Sequence, residues 1–234
     1  MGRLGTRSVE QATAVAEAAA ASGQLAGLMT HFATADEPGA FFGEQLARFA
    51  AWAPALKARL GDDVLVHAAN SAATLRDPAS HFDLVRAGVA LYGMDPANAD
   101  PSRHGLRPAL RLSSRVATVK PCAAGQSTGY GRRWIAGRDT LLATVPIGYG
   151  DGWRRGLTNN GEALVRGRRH PVVGAVSMDN LVLDLGPASD VCAGDEVVLI
   201  GDGLLAEEVA ARLQTINYEV TCGLTTRVPR LAVG

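Results

Sequence analysis

The spacing of apolar residues changes once along this chain, and that change limits the fold more than any single residue does. Up to about residue 92, short apolar runs alternate with helix-like stretches. Ser8 to Gly23 reads as a helix, with Ser8 placed to cap it, Gln11 at the capping-box position and Gly23 able to close it. The apolar run Leu25–Phe32 follows. A helical stretch over Gly43–Leu60 comes next, expected to kink or split at Pro54, which has no N–H to donate. Val64–Ala69 and Leu84–Tyr92 are two further apolar runs. Short apolar runs between helices predict βα units on a parallel sheet. From about Leu110 the chain reads instead as short strands separated by Gly and Pro turns. These are Ser114–Val119, Thr140–Pro146, Ala163–Val165, Pro171–Val176, Leu181–Leu185 and Glu196–Ile200, with one helix at Leu204–Leu213. That is an all-β pattern. The spacing therefore predicts an α/β domain over residues 1–96 and an all-β domain over 109–234. The linker, residues 97–108, lies inside the Pro/Gly-containing stretch Met94–Pro108.

Charge and composition exclude several classes of function. The 23 basic residues balance 23 acidic ones and are interspersed with them, which gives no footprint for nucleic acid or a membrane surface. No apolar run approaches the roughly 18–20 residues needed to span a bilayer. The first residues, MGRLGTRSVEQ, contain no apolar core of a secretion signal. Cys122, Cys192 and Cys222 are odd in number, widely spaced and without metal-ligand spacing, so free thiols in a reducing cytoplasm are expected. No metal site is expected. Lys57 and Lys120 are the only lysines.

Eight short motifs stand in one order along the chain. They are MGRLG (Met1–Gly5), MTHFATADE (Met29–Glu37), HAANSAATLR (His67–Arg76), VRAGVALYG (Val85–Gly93), GYGRRW (Gly129–Trp134), PIGYGDGWRR (Pro146–Arg155), GAVSMDN (Gly174–Asn180) and INYEVTCGLTTRVPR (Ile216–Arg230). Together, over essentially the whole chain, they resemble the alanine racemase family. The resemblance implies a (β/α)8 TIM-type barrel that binds pyridoxal 5′-phosphate, followed by a C-terminal β-domain, in a homodimer with shared active sites. On that template the chain is the C-terminal half of the barrel, with three strands, and then the β-domain. The implied reaction interconverts L- and D-alanine through a pyridoxal phosphate aldimine by a two-base mechanism, and supplies D-alanine for peptidoglycan. In the family, MGRLG continues a strand already begun, and the Schiff-base lysine lies before it. Lys57 in PALKAR and Lys120 in TVKPC lack that lysine's context, so this chain alone is expected to lack the residue and to be inactive. Two alternatives stand beside this reading: a broad-specificity amino-acid racemase on the same fold, and a non-catalytic remnant that dimerises or binds a ligand.

The resemblance assigns roles residue by residue. Arg86 would donate to the pyridine nitrogen of the cofactor. A guanidinium keeps its protons at ordinary pH, so it would hold that nitrogen unprotonated and weaken the ring as an electron sink. An arginine inside the apolar run LVRAGVALYG is also poorly explained as a surface ion pair. Tyr130 would be the base on the L-alanine face, acting across the dimer. Tyrosine in water has a pKa near 10, so this base needs a cationic, donor-rich setting. His31, with Arg86, would belong to that hydrogen-bond network, although a purely structural histidine at a strand end fits His31 almost as well. Ser71, Gly88, Val89 and Tyr218 would bind the phosphate, and Ser71 also reads as a helix N-cap. Arg3 would reach the phenolic oxygen of the cofactor and the substrate carboxylate. Met178 and Asp179 would enter the partner's substrate pocket, and Tyr149 would line its mouth, with Asp151 and Arg155 as weaker supports.

Overall fold

A computed structural model describes residues 1–233, and the chain divides into two compact units, Met1–Leu106 and Arg107 onward. In the first unit, β1 (Gly27–Met29), β2 (Leu65–Asn70) and β3 (Leu84–Arg86) form a parallel sheet in that order. Helices α1 (Val9–Ala21), α2 (Phe41–Leu60) and α3 (Ser71–Arg76) alternate with them. This is a segment of a (β/α) barrel. Ser8 caps α1, its hydroxyl accepting from Gln11 N–H at 3.2 Å. The expected capping box is only half formed, because the Gln11 carbonyl oxygen accepts from the Thr6 hydroxyl at 2.6 Å instead. Helix α2 runs through Pro54 as one element, contrary to the expected split.

Strand pleating decides which side chains each face shows. Leu28 lies opposite Val66, and with Ala68 these side chains are buried against Phe42, Leu46, Phe49, Ala53 and Leu56 of α2. Phe32 meets Phe42 edge-on at 4.8 Å, and Phe49 meets Phe82 at 5.3 Å. The opposite face carries Met29, Leu65, His67, Leu84 and Arg86. Its apolar members are open to solvent, at 60% for Met29, 44% for Leu65 and 40% for Leu84. The expected run Leu84–Tyr92 is not one strand: it leaves the sheet after Arg86 and continues as a 3-10 turn over Val89–Tyr92.

The second unit is built from β4 (Leu112–Arg115), β5 (Thr118–Cys122), β6 (Ser127–Thr128), β7 (Trp134–Ile135), β8 (Thr140–Val145), β9 (Glu162–Val165), β10 (Arg168–Pro171), β11 (Leu181–Gly186) and β12 (Glu196–Ile200). All pair antiparallel, as sheets β10-β9-β12-β4 and β11-β8-β5 and a ribbon β6-β7. Helices α4 (Ala206–Leu213) and α5 (Asn217–Cys222) follow. Val116, Ala143, Val145, Leu181, Leu183, Val197 and Leu199 are buried, with Trp153 and Leu157. The run Ser114–Val119 spans two strands in different sheets. The switch falls at residues 116 and 117, where Val116 N–H donates to Asp195 O and Ala117 N–H to Thr144 O. Pro171–Val176 is not a strand either: the ladder with β9 ends at Pro171, and beyond it Val172 makes a single bridge to Leu183. No described helix is long and apolar enough to cross a membrane, and the described residues hold no cluster of metal-ligating side chains.

The open face of the first sheet has a stability consequence. Its outward face is open, whereas β11 buries every second residue, β8 buries Thr140, Ala143 and Val145, and no residue of either strand is exposed. Amides of β1–β3 are expected to exchange about tenfold or more faster than those of β8 and β11 in native-state hydrogen exchange. Equal protection in a monomeric sample would show that the exposed face costs nothing.

Candidate active site

The C-terminal ends of the three parallel strands converge on one guanidinium. Arg86 closes β3 on the face that also carries His67. Its Nη1 donates to His67 Nδ1 at 2.7 Å. Its Nη2 faces Thr30 O at 3.0 Å, Ala68 O at 3.1 Å and His31 Nδ1 at 3.2 Å. A guanidinium only donates, so His67 Nδ1 at 2.7 Å must accept from it, while Nη2 shares two protons among three acceptors, of which His31 Nδ1 is the most distant. Burial holds each histidine below its ordinary pKa, and the Arg86 cation pushes in the same direction. At His31, the Arg3 charge and the terminal amine add to this. Arg3 itself is exposed and acts on the cluster only through its charge. Burial lowers Arg86 from its usual range.

Ser71 lies beside this cluster at the start of α3. The expected capping role falls to Asn70, whose Oδ1 accepts from Ala73 N–H at 3.0 Å. Ser71 is thereby free to bond across to the turn after β3. Its buried Oγ accepts from Gly88 N–H at 2.8 Å and from Ala90 N–H at 3.3 Å. Val89 is buried beside it.

In the second unit, Tyr130, Tyr149, Met178 and Asp179 line one open cavity of about 590 Å³, together with Gly129, Ser177 and Asn180. Backbone packing fixes these loops. Gly129 has φ 76°, and a Cβ there would stand 2.8 Å from Ala175 N. A Cβ on Gly148 would overlap Ser177 O, and this close approach lets Tyr149 N–H reach Ser177 O at 3.0 Å and Gly150 N–H reach Met178 O at 2.7 Å. Asp151 accepts from Gly148 N–H at 2.9 Å and pairs with Arg227 Nε at 3.0 Å, which ties the start of the Tyr149 turn to the Arg227 side chain. Arg155 opens the next turn. Tyr218 stands on α5, outside this lining. That helix is tied to α4 where Asn217 Nδ2 donates to Glu207 at 2.9 Å.

Residues 1–96 match the family model of the alanine racemase N-terminal domain, and residues 109–232 that of the C-terminal domain. The chain belongs to the alanine racemase family. It is 44% identical to the alanine racemase of Cutibacterium acnes and 43% identical to that of Desulfovibrio desulfuricans, over its whole length and 64% of each relative. Among solved structures it resembles alanine racemase from D-cycloserine-producing Streptomyces lavendulae, with a TM-score of 0.90 and 39% identity over all of this chain and 64% of that one. The E. faecalis alanine racemase gives 0.88 and 38% over 98% of this chain and 62% of that one. The chain therefore spans less than two thirds of the length of these relatives. One similar structure, at 30% identity, is the Bartonella henselae alanine racemase with covalently bound pyridoxal phosphate.

Within this racemase-family chain, the residue that sequence reasoning missed is His67. It makes the shortest contact to Arg86, yet it passed as one letter of HAANSA. A signal was available: strand alternation places Leu65 and His67 on one face, and that face is the one Arg86 uses.

The two neutral histidines give the fold a pH dependence with a definite sign. An unfolded histidine takes up a proton near pH 6.5, while His31 and His67 in the folded chain do so only at lower pH. The unfolded state thus binds more protons below about 6.5, and stability is lost as pH falls from there toward the lowered folded values. The unfolding midpoint of the first unit is expected to drop between pH 7.5 and 5.5, and H67N to flatten that slope. An unchanged slope in H67N would mean that His67 carries none of it.

Proposed function

We propose that this chain supplies the ring-nitrogen, phosphate and tyrosine parts of an alanine racemase active site. The observation that carries the reading is the donor set around Arg86 and Ser71. Arg86 gives one Nη1 proton to His67, and its two Nη2 protons are shared among Thr30 O and His31 Nδ1, just beyond β1, and Ala68 O of β2, which leaves its Nε–H and one Nη1 proton free. Ser71 Oγ accepts two backbone N–H groups, so its own proton points to no protein acceptor. Val89 N–H has no acceptor among the described residues. A Cβ on Gly88 would stand 3.9 Å from Ser71 Oγ, in the space beside that hydroxyl. Free donors beside an open cradle fit a phosphate, and a free guanidinium N–H fits a pyridine nitrogen. Pyridoxal 5′-phosphate fits this set.

When bound, pyridoxal phosphate supplies the electron withdrawal that loosens the Cα–H bond of the substrate. Arg86 keeps the pyridine nitrogen unprotonated, because the guanidinium does not yield its proton, and so moderates that withdrawal. Ser71, Gly88 and Val89 hold the phosphate, and the family resemblance assigns Tyr218 of the second unit to the phosphate as well. His31 and His67 stay neutral and aim Arg86. Tyr130 Oη holds and moves the proton on the L-alanine face. Tyr149, Met178 and Asp179 shape the substrate mouth, and Arg3 answers the carboxylate. Tyr130 is 73% exposed, so we assign the rest of its surroundings to a second copy, in a homodimer with shared sites. The implied role is D-alanine supply for peptidoglycan in the cytoplasm.

The two lysines take no part in this arrangement. Lys57 on α2 pairs with Asp83 at 2.8 Å, and Lys120 is exposed on β5. The 234-residue chain with added pyridoxal phosphate is expected to show no alanine racemisation; turnover above background would sink this assignment.

Binding tests the donor set directly. Pyridoxamine 5′-phosphate lacks the aldehyde, so stray imines do not confuse its titration. It is expected to shift the Gly88 and Val89 amides in a saturable way. Ser71→Ala should weaken it about tenfold or more, the value of one charge-assisted hydrogen bond. No saturable shift, or an unaltered affinity in S71A, would overturn the phosphate assignment.

A further inference from the structure

The connection from β1 to α2, residues 30–40, carries His31 but contains no helix or strand. Two side chains from neighbouring helices hold it in place. From α3, Arg76 Nη1 donates to the carbonyls of Thr34 at 3.3 Å, Ala35 at 3.1 Å and Glu37 at 2.8 Å. The Arg76 guanidinium also lies 4.6 Å over the Phe42 ring. That grip is on the far part of the loop. From α2, Gln45 grips the near part: its Nε2 donates to His31 O at 2.8 Å and its Oε1 accepts from Ala33 N–H at 3.1 Å. Between these two bonds lies Phe32, buried against Phe42.

We propose that Gln45 is a positioning residue, which fixes the direction of the His31 ring against the Arg86 guanidinium by gripping the backbone on both sides of residue 32. The primary amide suits this task because it offers an acceptor and a donor in one plane. The backbone on either side of Phe32 presents one group of each kind. The dependent contact is marginal: His31 Nδ1 lies 3.2 Å from Arg86 Nη2, and a drift of roughly half an ångström takes it out of hydrogen-bond range. His67 needs no such help, because it sits inside β2, held by ladders on both sides. His31 lies beyond the end of β1, and apart from Arg86 its ring meets only Asn70, whose Nδ2 stands at the long distance of 3.5 Å from Nε2, so its direction rests mainly on the loop. The role matters for the chemistry through the proposed use of Arg86, and to that extent it rests on that reading.

The test uses the full 234-residue chain, wild type and Gln45→Met, labelled with ¹⁵N and read by NMR without ligand. Methionine keeps the length and neutrality of the side chain but removes both bonds. In Q45M the His31 titration is expected to move up toward the ordinary histidine value near 6.5 as the ring leaves Arg86. The Ala33 amide should exchange about tenfold faster than in wild type. A folded Q45M with His31 unmoved overturns the proposal. In the wild type, rapid exchange of both the Ala33 amide and the Gln45 side-chain amide also overturns it, whether or not the variant folds. The cofactor reading is scored separately by the Gly88 and Val89 shifts with pyridoxamine 5′-phosphate, which do not involve Gln45, so either idea can fail while the other stands.

Discussion

Partly burying a guanidinium is costly unless its donors are met, and the first unit meets three of the five N–H donors of Arg86 with the ends of its own strands. Thr30 O comes from just beyond β1, Ala68 O and His67 Nδ1 from β2, and the charge itself from β3. Parallel strands all finish at the same edge, so one planar donor there can bond to every strand at once. The choice of arginine follows from that geometry. A lysine ammonium has three donors on a flexible stem and no fork, and it would not span the same acceptors. The cation then dictates the state of its neighbours: a histidine that must accept from a guanidinium cannot also carry a charge. Strand register, side-chain protonation and the direction of the free Nε–H are thus linked through a single residue.

The second unit solves a different problem by different means. Tyr130, Tyr149 and Met178 stand on turns, which would ordinarily wander. Here the turns are sewn backbone to backbone. Tyr149 and Gly150 donate to Ser177 and Met178 carbonyls, and Thr225 Oγ1 donates to Gly150 O at 2.9 Å. The Asp151 carboxylate then joins the Gly148 amide to the Arg227 side chain. Such contacts demand residues without side chains at the points of approach, which Gly129 before Tyr130 and Gly148 and Gly150 on either side of Tyr149 supply.

The fold was legible in the sequence wherever burial had a period. Leu181–Leu185 alternates buried and half-buried residues, and it is a strand as expected. Runs without such a period misled. Ser114–Val119 looks continuous, yet the chain passes from one sheet to the other at Val116, because both sheets accept the same alternation. Leu84–Tyr92 is apolar throughout, but only tertiary contact with Ser71 shows that Gly88 has already left the strand. Helix α5, six residues long, is too short to display a helical period. In the site, Arg86 announced itself as a charge in an apolar run, and Ser71, Gly88 and Tyr130 came through the motifs. His67 and Gln45 did not, since a histidine in a strand and a glutamine in a helix are unremarkable until the residue facing them is known.

On the proposed reading, Tyr130 shows what the fixed turn that carries it is for. A phenol in water holds its proton up to a pH near 10, so roughly one tyrosine in a thousand is ionised at neutral pH. A base of that kind needs cations and exclusion of water, and at 73% exposure Tyr130 is open to water within its own unit. On the proposed reading, both arrive with an opposing surface. Association of that kind is weakened by every loop that must be ordered when the surfaces meet. The Gly129 turn has nothing left to order: its φ of 76° and its contact with the Ala175 backbone already hold the tyrosine out from the sheet. The fold therefore places its backbone packing at a residue that its own unit leaves open to solvent.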